Sequence, residues 1–297
     1  MIDWKAPLRE CRICPRACGI DRTAGARGFC GAGTLVRVAR MMLHRWEEPC
    51  LIGAHGAGAV FFSHCTLRCV YCQNHEISRG ERGDLLSVEE LAARFLTLES
   101  QGAATLDLVT PTHYTPQILA ALELARTAGF SRPVVWNTSG YETIEAIDFL
   151  KGHVDIYLPD LKYDTEESAR RFSTAPGYAA AAYAALSAMV AQVGAVQFAL
   201  DGRLLSGVLV RHLVLPGHRR ESIAIVRRLW ETFGDHIQLS LMRQYTPTYR
   251  ATEFPPLHRK LTTFEYESVV DAARDLGMTR VYVQDAAASS AHYIPDF

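Results

Sequence analysis

From residue 57 onward, short runs of apolar and β-branched residues alternate with longer helical patterns, and this alternation constrains the fold more than any other feature of the chain. The runs are Ala57–Ser63, Thr105–Val109, Pro133–Trp136, Val154–Leu158, Gly207–Leu215, Ile237–Leu241 and Thr279–Val283. Near-continuous apolar runs of this length read as strands of a parallel sheet covered on both faces. The intervening segments carry helix signals: Ser87-x-x-Glu90 and Thr262-x-x-Glu265 as capping boxes, Thr115-Pro116 as a cap with proline at the first helical position, and Gly102, Gly129 and Gly277 as C-terminal stops. Six or seven such units in about 240 residues predict an α/β fold, a complete or partial (β/α) barrel over residues 36–297. Thr165–Gln197 is the least patterned part; Ala179–Ala195 within it reads as a helix that crosses over before the fifth strand or lines the cavity.

Residues 1–35 differ in kind. They hold Cys11, Cys14, Cys18 and Cys30, five glycines and several arginines without periodicity, and so read as a small lobe stapled by a metal. With 31 basic against 32 acidic side chains and a formal charge of -1, the chain lacks the basic footprint of a nucleic-acid or membrane-surface binder. No apolar run reaches the length of a membrane span, and Met1-Ile2-Asp3-Trp4-Lys5 opens no secretory signal, so a cytoplasmic location is expected. In that compartment the eight cysteines are expected to ligate metal and not to pair as disulfides. Cys50, alone between Pro49 and Leu51, reads as a buried small hydrophobe.

Cys65, Cys69 and Cys72 place three thiolates within eight residues, enough to wrap one metal centre. A structural zinc site closes with four protein ligands, so here it would need His64 or His75 as well. In a four-iron four-sulfur cluster, three thiolates leave one iron open to a small molecule. Ligands of parallel sheets bind at the carboxyl ends of the strands. At those ends the sequence places the cysteine loop, Thr110-Pro111-Thr112-His113-Tyr114, Asn137-Thr138-Ser139-Gly140, Pro159-Asp160-Leu161-Lys162, Pro216-Gly217-His218, Arg243-Gln244-Tyr245 and Gln284-Asp285.

The spacing Cys65-x3-Cys69-x2-Cys72, with Tyr71 before the last cysteine, resembles the signature of the radical S-adenosylmethionine (SAM) superfamily. The run Gly58–Ser78, Cys11-Arg12-x-Cys14-Pro15-Arg16-x-Cys18-Gly19 and Leu108–Tyr114 together look like the pyruvate formate-lyase activating enzyme and, more closely, its uncharacterised PflX-like relatives. The similarity runs from about residue 10 to 285. It implies a three-cysteine 4Fe–4S cluster and bound SAM. Asn137-Thr138-Ser139-Gly140 is similar to the family's Asp-Thr-Asn-Gly loop, and Asp160-Leu161-Lys162 matches its Asp-Leu-Lys. By resemblance, Asn137, Ser139, Asp160 and Lys162 flank the methionine carboxylate and a monovalent cation, Arg211 holds the family's SAM-contacting arginine position, and Tyr71 faces adenine. Lys162 and Arg211 could equally form structural ion pairs. Where the family carries a Gly-Gly-Glu motif for the SAM amine, this chain offers Thr110, Thr112 and His113 instead.

The resemblance further implies reductive cleavage of SAM to methionine and a 5′-deoxyadenosyl radical, which abstracts hydrogen from a substrate, with an electron donor such as flavodoxin or ferredoxin as partner. Three functions fit the residues: activation of a protein by glycine hydrogen abstraction, radical modification or epimerisation of a small molecule or peptide, and a non-catalytic zinc-binding protein on an α/β barrel. The Cys11, Cys14, Cys18 and Cys30 group can close a zinc site or a second iron–sulfur cluster. A structural role is expected for it, with Arg12, Arg16, Arg22 and Arg27 offsetting the sulfur charge and with electron relay as the alternative.

Overall fold

The computed structural model describes residues 3–284. The chain opens with a single turn, α1 (Ala6–Arg9), and enters the sheet at β1 (Val36–His44). A second turn, α2 (Pro49–Ile52), leads to β2 (Ala57–Phe62), and the cysteine loop follows. Next come α3 (His75–Arg79), β3 (Asp84–Leu86), α4 (Val88–Ser100), β4 (Leu106–Val109) and α5 (Thr115–Thr127). The middle of the chain holds β5 (Val134–Thr138), α6 (Ile144–Phe149), β6 (Ile156–Pro159), α7 (Glu166–Ser173) and α8 (Tyr178–Val193). It ends with β7 (Gln197–Phe198), β8 (Leu204–Leu213), α9 (Arg219–Phe233), β9 (Ile237–Met242), α10 (Thr263–Asp275) and β10 (Val281–Val283).

Each of the seven expected strands is present, and they run parallel in the order β2-β4-β5-β6-β8-β9-β10. Three more were not expected. β1 adds antiparallel to β2, β3 adds antiparallel to β1, and β7 pairs with β8 off the main path. Among the described residues the sheet is therefore open, with β10 at one edge and β3 at the other. This is the partial form of the barrel. Both expected capping boxes form, at Ser87/Glu90 on α4 and at Thr262/Glu265 on α10. Thr115 lies within the first turn of α5 instead of capping it.

Side chains alternate across the sheet, as strand geometry requires. One set, with Val60, Leu108, Trp136 and Val210, packs under the helices in the main core. The opposite set includes Val135, Ile156, Leu158 and Leu209, and Cys50 and Leu51 of α2 pack against it as a plug. Residues 3–35 are tied to the barrel: Ala32 belongs to the main core, and the buried Arg22 donates to the carbonyl of His113 at 2.7 Å. The segment expected to cross over before the fifth strand resolves into α7 and α8, which pack on the outside of the sheet.

Candidate functional site

The carboxyl ends of the strands surround a cavity of about 340 Å³ that Cys65, Cys69 and Cys72 line together. The cysteine loop is held in an unusual path. His64, just before it, has φ +73, and Thr110 at the end of β4 has φ +58, both in the left-handed region that costs a non-glycine residue energy. The end of α7 holds the loop from outside: the Arg68 amide donates to the Ser173 carbonyl at 3.0 Å and the Val70 amide to the Phe172 carbonyl at 2.8 Å. Helix C-termini leave carbonyls unpaired, and here the loop uses them. Burial and the neighbouring Cys69 push the Cys65 thiol far up and the Cys72 thiol up to about 11. Thiolates gathered around one cavity call for a cationic centre between them. Among the described residues, no three His, Cys, Asp or Glu side chains converge as they would around one metal ion. The donor set, three sulfurs spread around a shared cavity, fits a larger iron–sulfur group.

The same cavity holds a charged array. Lys162 Nζ donates to Asp160 Oδ2 at 2.6 Å, and Arg211 Nε donates to Asp160 Oδ1 at 3.0 Å. Arg211 also reaches Glu47 Oε1 at 3.3 Å and Asn137 Oδ1 at 2.5 Å. Burial alone would raise the Asp160 carboxyl, but Lys162 and Arg211 outweigh it and hold it below the usual range. The wall is rigid where β5 and β6 end. Gly140 has φ +76, and a Cβ there would lie 2.4 Å from the Asp160 carbonyl oxygen, so the two strand ends touch only because this residue is glycine. The Tyr178 hydroxyl bridges the same pair, accepting the Lys162 amide at 2.9 Å and lying 2.8 Å from the Ser139 carbonyl oxygen.

Of the expected SAM-contacting residues, Tyr71, Thr110, Asn137, Ser139, Asp160, Lys162 and Arg211 line this cavity. Thr112 and His113 do not. A 3-10 turn over Thr112–Tyr114 rotates them inward. Thr112 donates to the buried Glu142 carboxylate at 2.7 Å, which also takes the Thr138 hydroxyl at 2.6 Å. His113 faces a second, small pocket. Asp285, expected at the end of the last strand, lies outside the described residues, while Gln284 lines the cavity. The sequence reading missed Glu47 and Glu48 on the cavity wall, which leave no signal beyond two acidic residues before a proline. Burial and the adjacent Glu47 push the Glu48 carboxyl up to about 7.

The second pocket is lined by Cys11, Cys14, Cys18 and Cys30 together with Arg22 and His113. Burial pushes the Cys14 thiol up to about 12 and raises that of Cys30. Arg22 Nη1 lies 3.9 Å from Cys11 Sγ. Of the other arginines expected here, Arg12 pairs with Glu10, Arg27 with Glu81, and Arg16 reaches across to the Thr66 carbonyl at 3.0 Å. The His113 ring sits 2.8 Å from the Ser63 carbonyl through Nε2, and its Nδ1 has no partner.

The sequence pattern of the Radical SAM superfamily matches residues 59–229, more than half of the chain. The chain belongs to the radical SAM superfamily. Membership implies SAM and a 4Fe–4S cluster as cofactors, with an electron donor. Over 285 residues the chain is 27% identical to an uncharacterised protein of Methanocaldococcus jannaschii, MJ0674, covering 93% of this chain and 77% of that one. Among solved structures, HydG, a maturase of the [FeFe]-hydrogenase, is similar with a TM-score of 0.50 at 16% identity over 74% of this chain. The chain spans only 48% of HydG, and that likeness concerns the fold alone. TYW1 with a lysine–pyruvate adduct matches 84% of this chain and 87% of its own at a TM-score of 0.47 and 11% identity. No helix among the described residues is long and apolar enough to cross a membrane.

Proposed function

We propose that this radical SAM protein holds its cluster on Cys65, Cys69 and Cys72, binds SAM against Asn137, Ser139, Asp160, Lys162 and Arg211, and abstracts hydrogen from a substrate. The observation that carries the reading is the shared cavity, which the three cysteines and the Asp160–Lys162–Arg211 array line together. When bound, the cluster and SAM supply methionine and a 5′-deoxyadenosyl radical, using one electron from a low-potential donor such as flavodoxin or ferredoxin.

The chain's own residues do the positioning. Asp160 fixes Lys162 and Arg211 by hydrogen bonds at 2.6 Å and 3.0 Å, which leaves their remaining N–H groups to meet the methionine carboxylate. Asn137 is oriented by Arg211 and lies on the same wall. Thr112 and His113 are bound elsewhere, so the acidic side chains Glu47 and Glu48, which line the cavity, are the better partners for the SAM amine.

Within the superfamily we place the chain beside the activating enzymes, in the PflX-like group, with a glycine of a partner protein as substrate; Gly58–Ser78 and Leu108–Tyr114 support this. Modification or epimerisation of a small molecule or peptide is the alternative. For residues 1–35 we propose a small lobe stapled by zinc or a second cluster on Cys11, Cys14, Cys18 and Cys30. A zinc-only protein is the reading that the first experiment can revive. Protein reconstituted anaerobically with iron and sulfide and reduced with dithionite should convert SAM to methionine and 5′-deoxyadenosine. Zinc at Cys65, Cys69 and Cys72 with no SAM cleavage would sink the proposal. Deuterated candidate substrates then separate protein from small-molecule chemistry by deuterium appearing in 5′-deoxyadenosine.

A further inference from the structure

A chain of three hydroxyl groups ends on the sulfur of Cys69. Ser173 Oγ donates to Cys69 Sγ at 2.9 Å, Tyr163 Oη lies 2.6 Å from Ser173 Oγ, and Tyr71 Oη lies 2.7 Å from Tyr163 Oη. Ser173 and Tyr163 are fully buried and Tyr71 is buried, so water does not interrupt the series. Its polarity follows from proton counting. A ligating thiolate only accepts, so the single Ser173 proton points at sulfur, and Ser173 must then accept from Tyr163. The Tyr163 proton being spent, Tyr163 accepts from Tyr71. All three O–H dipoles therefore point the same way, toward Cys69. Successive hydrogen bonds aligned in this sense polarise one another.

The anchor is stiff. Ser173 is the last residue of α7, and its carbonyl takes the Arg68 amide while Phe172 takes that of Val70, so the serine is fixed to the loop on both sides of Cys69. A solvent-facing hydroxyl would rotate; this one has its place set by the backbone. Nor is the contact needed to hold the loop, because the two backbone bonds already do so.

We propose that Ser173, polarised by Tyr163 and Tyr71, is a positioning residue that raises the reduction potential of the cluster held by Cys65, Cys69 and Cys72. The inference rests on the cluster assignment proposed above. The step it acts on is a one-electron reduction: an electron passes from a low-potential protein donor or dithionite to the cluster, and no bond or proton is exchanged. The added negative charge is shared by the sulfurs, so a donor hydrogen bond stabilises the reduced form more than the oxidised one. Ser173 and Tyr163 do not line the cavity, which separates their role from SAM binding; only Tyr71, at the far end of the series, does.

The test is a redox titration of the full-length reconstituted protein, followed by electron paramagnetic resonance, after iron and sulfide have been counted. In Ser173→Ala the reduced-to-oxidised ratio at a fixed potential should fall about two- to tenfold, the worth of one hydrogen bond, with iron content at the wild-type level. Ser173→Thr, which keeps the hydroxyl, should restore it. Tyr163→Phe should shift the ratio in the same direction by less, and it decides alone if Ser173→Ala does not fold. An intact cluster whose ratio is unmoved in Ser173→Ala, or in Tyr163→Phe where that variant decides, overturns this inference and leaves the cluster assignment standing. Wild-type protein without iron and sulfide at the three cysteines overturns both.

Discussion

Arg16 Nε donates to the carbonyl oxygen of Thr66 at 3.0 Å, joining a residue between Cys14 and Cys18 to the residue that follows Cys65. A second contact runs beside it. The Phe29 ring, next to Cys30, has the Arg16 guanidinium 3.6 Å from its centroid and that of Arg68 at 4.3 Å, and Arg68 Nη2 donates to the Phe29 carbonyl at 3.3 Å. The two cysteine groups are thus neighbours that brace each other.

Loss of the N-terminal ligands should therefore be felt as stability first. Cys14→Ser is expected to lower the melting temperature, by about 2–4 °C for each kcal/mol lost, while some SAM cleavage survives. Cys69→Ser should abolish cleavage and leave a folded protein. Thermal melts and product assays on both variants decide. A stable Cys14→Ser protein inactive with dithionite would make the N-terminal site catalytic; one inactive only with flavodoxin or ferredoxin would make it an electron relay.

Lys162→Ala should weaken SAM binding by roughly ten- to a hundred-fold, the worth of one charge-assisted contact, with iron content unchanged. Arg211→Ala should do the same and also lower stability, since it leaves Glu47 and Asp160 without their shared partner. Calorimetric titration with SAM and thermal melts measure the two effects. Unchanged affinity in both variants would mean that the array is only structural.

Glu48 should make stability depend on pH. Its carboxyl is raised from 4.5 to about 7, chiefly by burial, so the folded state favours the protonated form. That contribution is fully present below pH 4.5 and is lost as pH rises through about 7. Glu48→Gln should match wild type at pH 4 and exceed it at pH 8, by up to about 3 kcal/mol. Melting curves at the two pH values check this; equal curves at pH 8 would show that the carboxylate is compensated.

Gly140→Ala should destabilise the protein by about 1–3 kcal/mol from backbone strain alone, with the clash against Asp160 added. Because that contact sets the spacing of Asn137 and Asp160, SAM affinity should fall as well. Denaturant unfolding together with SAM titration tests both. Wild-type values for each would refute the close approach.

The parallel strands were legible because each is a short apolar run between helix signals, as with Leu106–Val109 before Thr115-Pro116. β1 was not, since Arg37 and Arg40 break its run and β2 supplies the other half of its ladder. The three cysteines declare themselves by spacing, and Asp160 and Lys162 by following a strand; Arg211 lies inside β8 and was reached through the resemblance alone. Thr112 and His113 obey the same strand-end rule yet turn away, because Glu142 and the Ser63 carbonyl offer them buried partners. Ser173 could not have been found: its neighbour Cys69 is 104 positions distant, and nothing in Phe172-Ser173-Thr174 marks it.

The open sheet has a mechanical consequence. A closed barrel changes its girth only by breaking ladder hydrogen bonds between neighbouring strands. Here the rim formed by β1 and its loop, with Trp46 and Glu47, and the rim formed by β9 and β10, with Gln244 and Gln284, line one cavity without pairing to each other among the described residues. The distance between the rims can then change through sheet twist, at the cost of side-chain contacts and no ladder hydrogen bonds. The cysteine loop and the Asp160 array sit on strands bonded to both neighbours, and Arg211, at 3.3 Å from Glu47 Oε1, ties the array to the first rim. One wall of the vessel is compliant, and the wall that carries the chemistry is stiff.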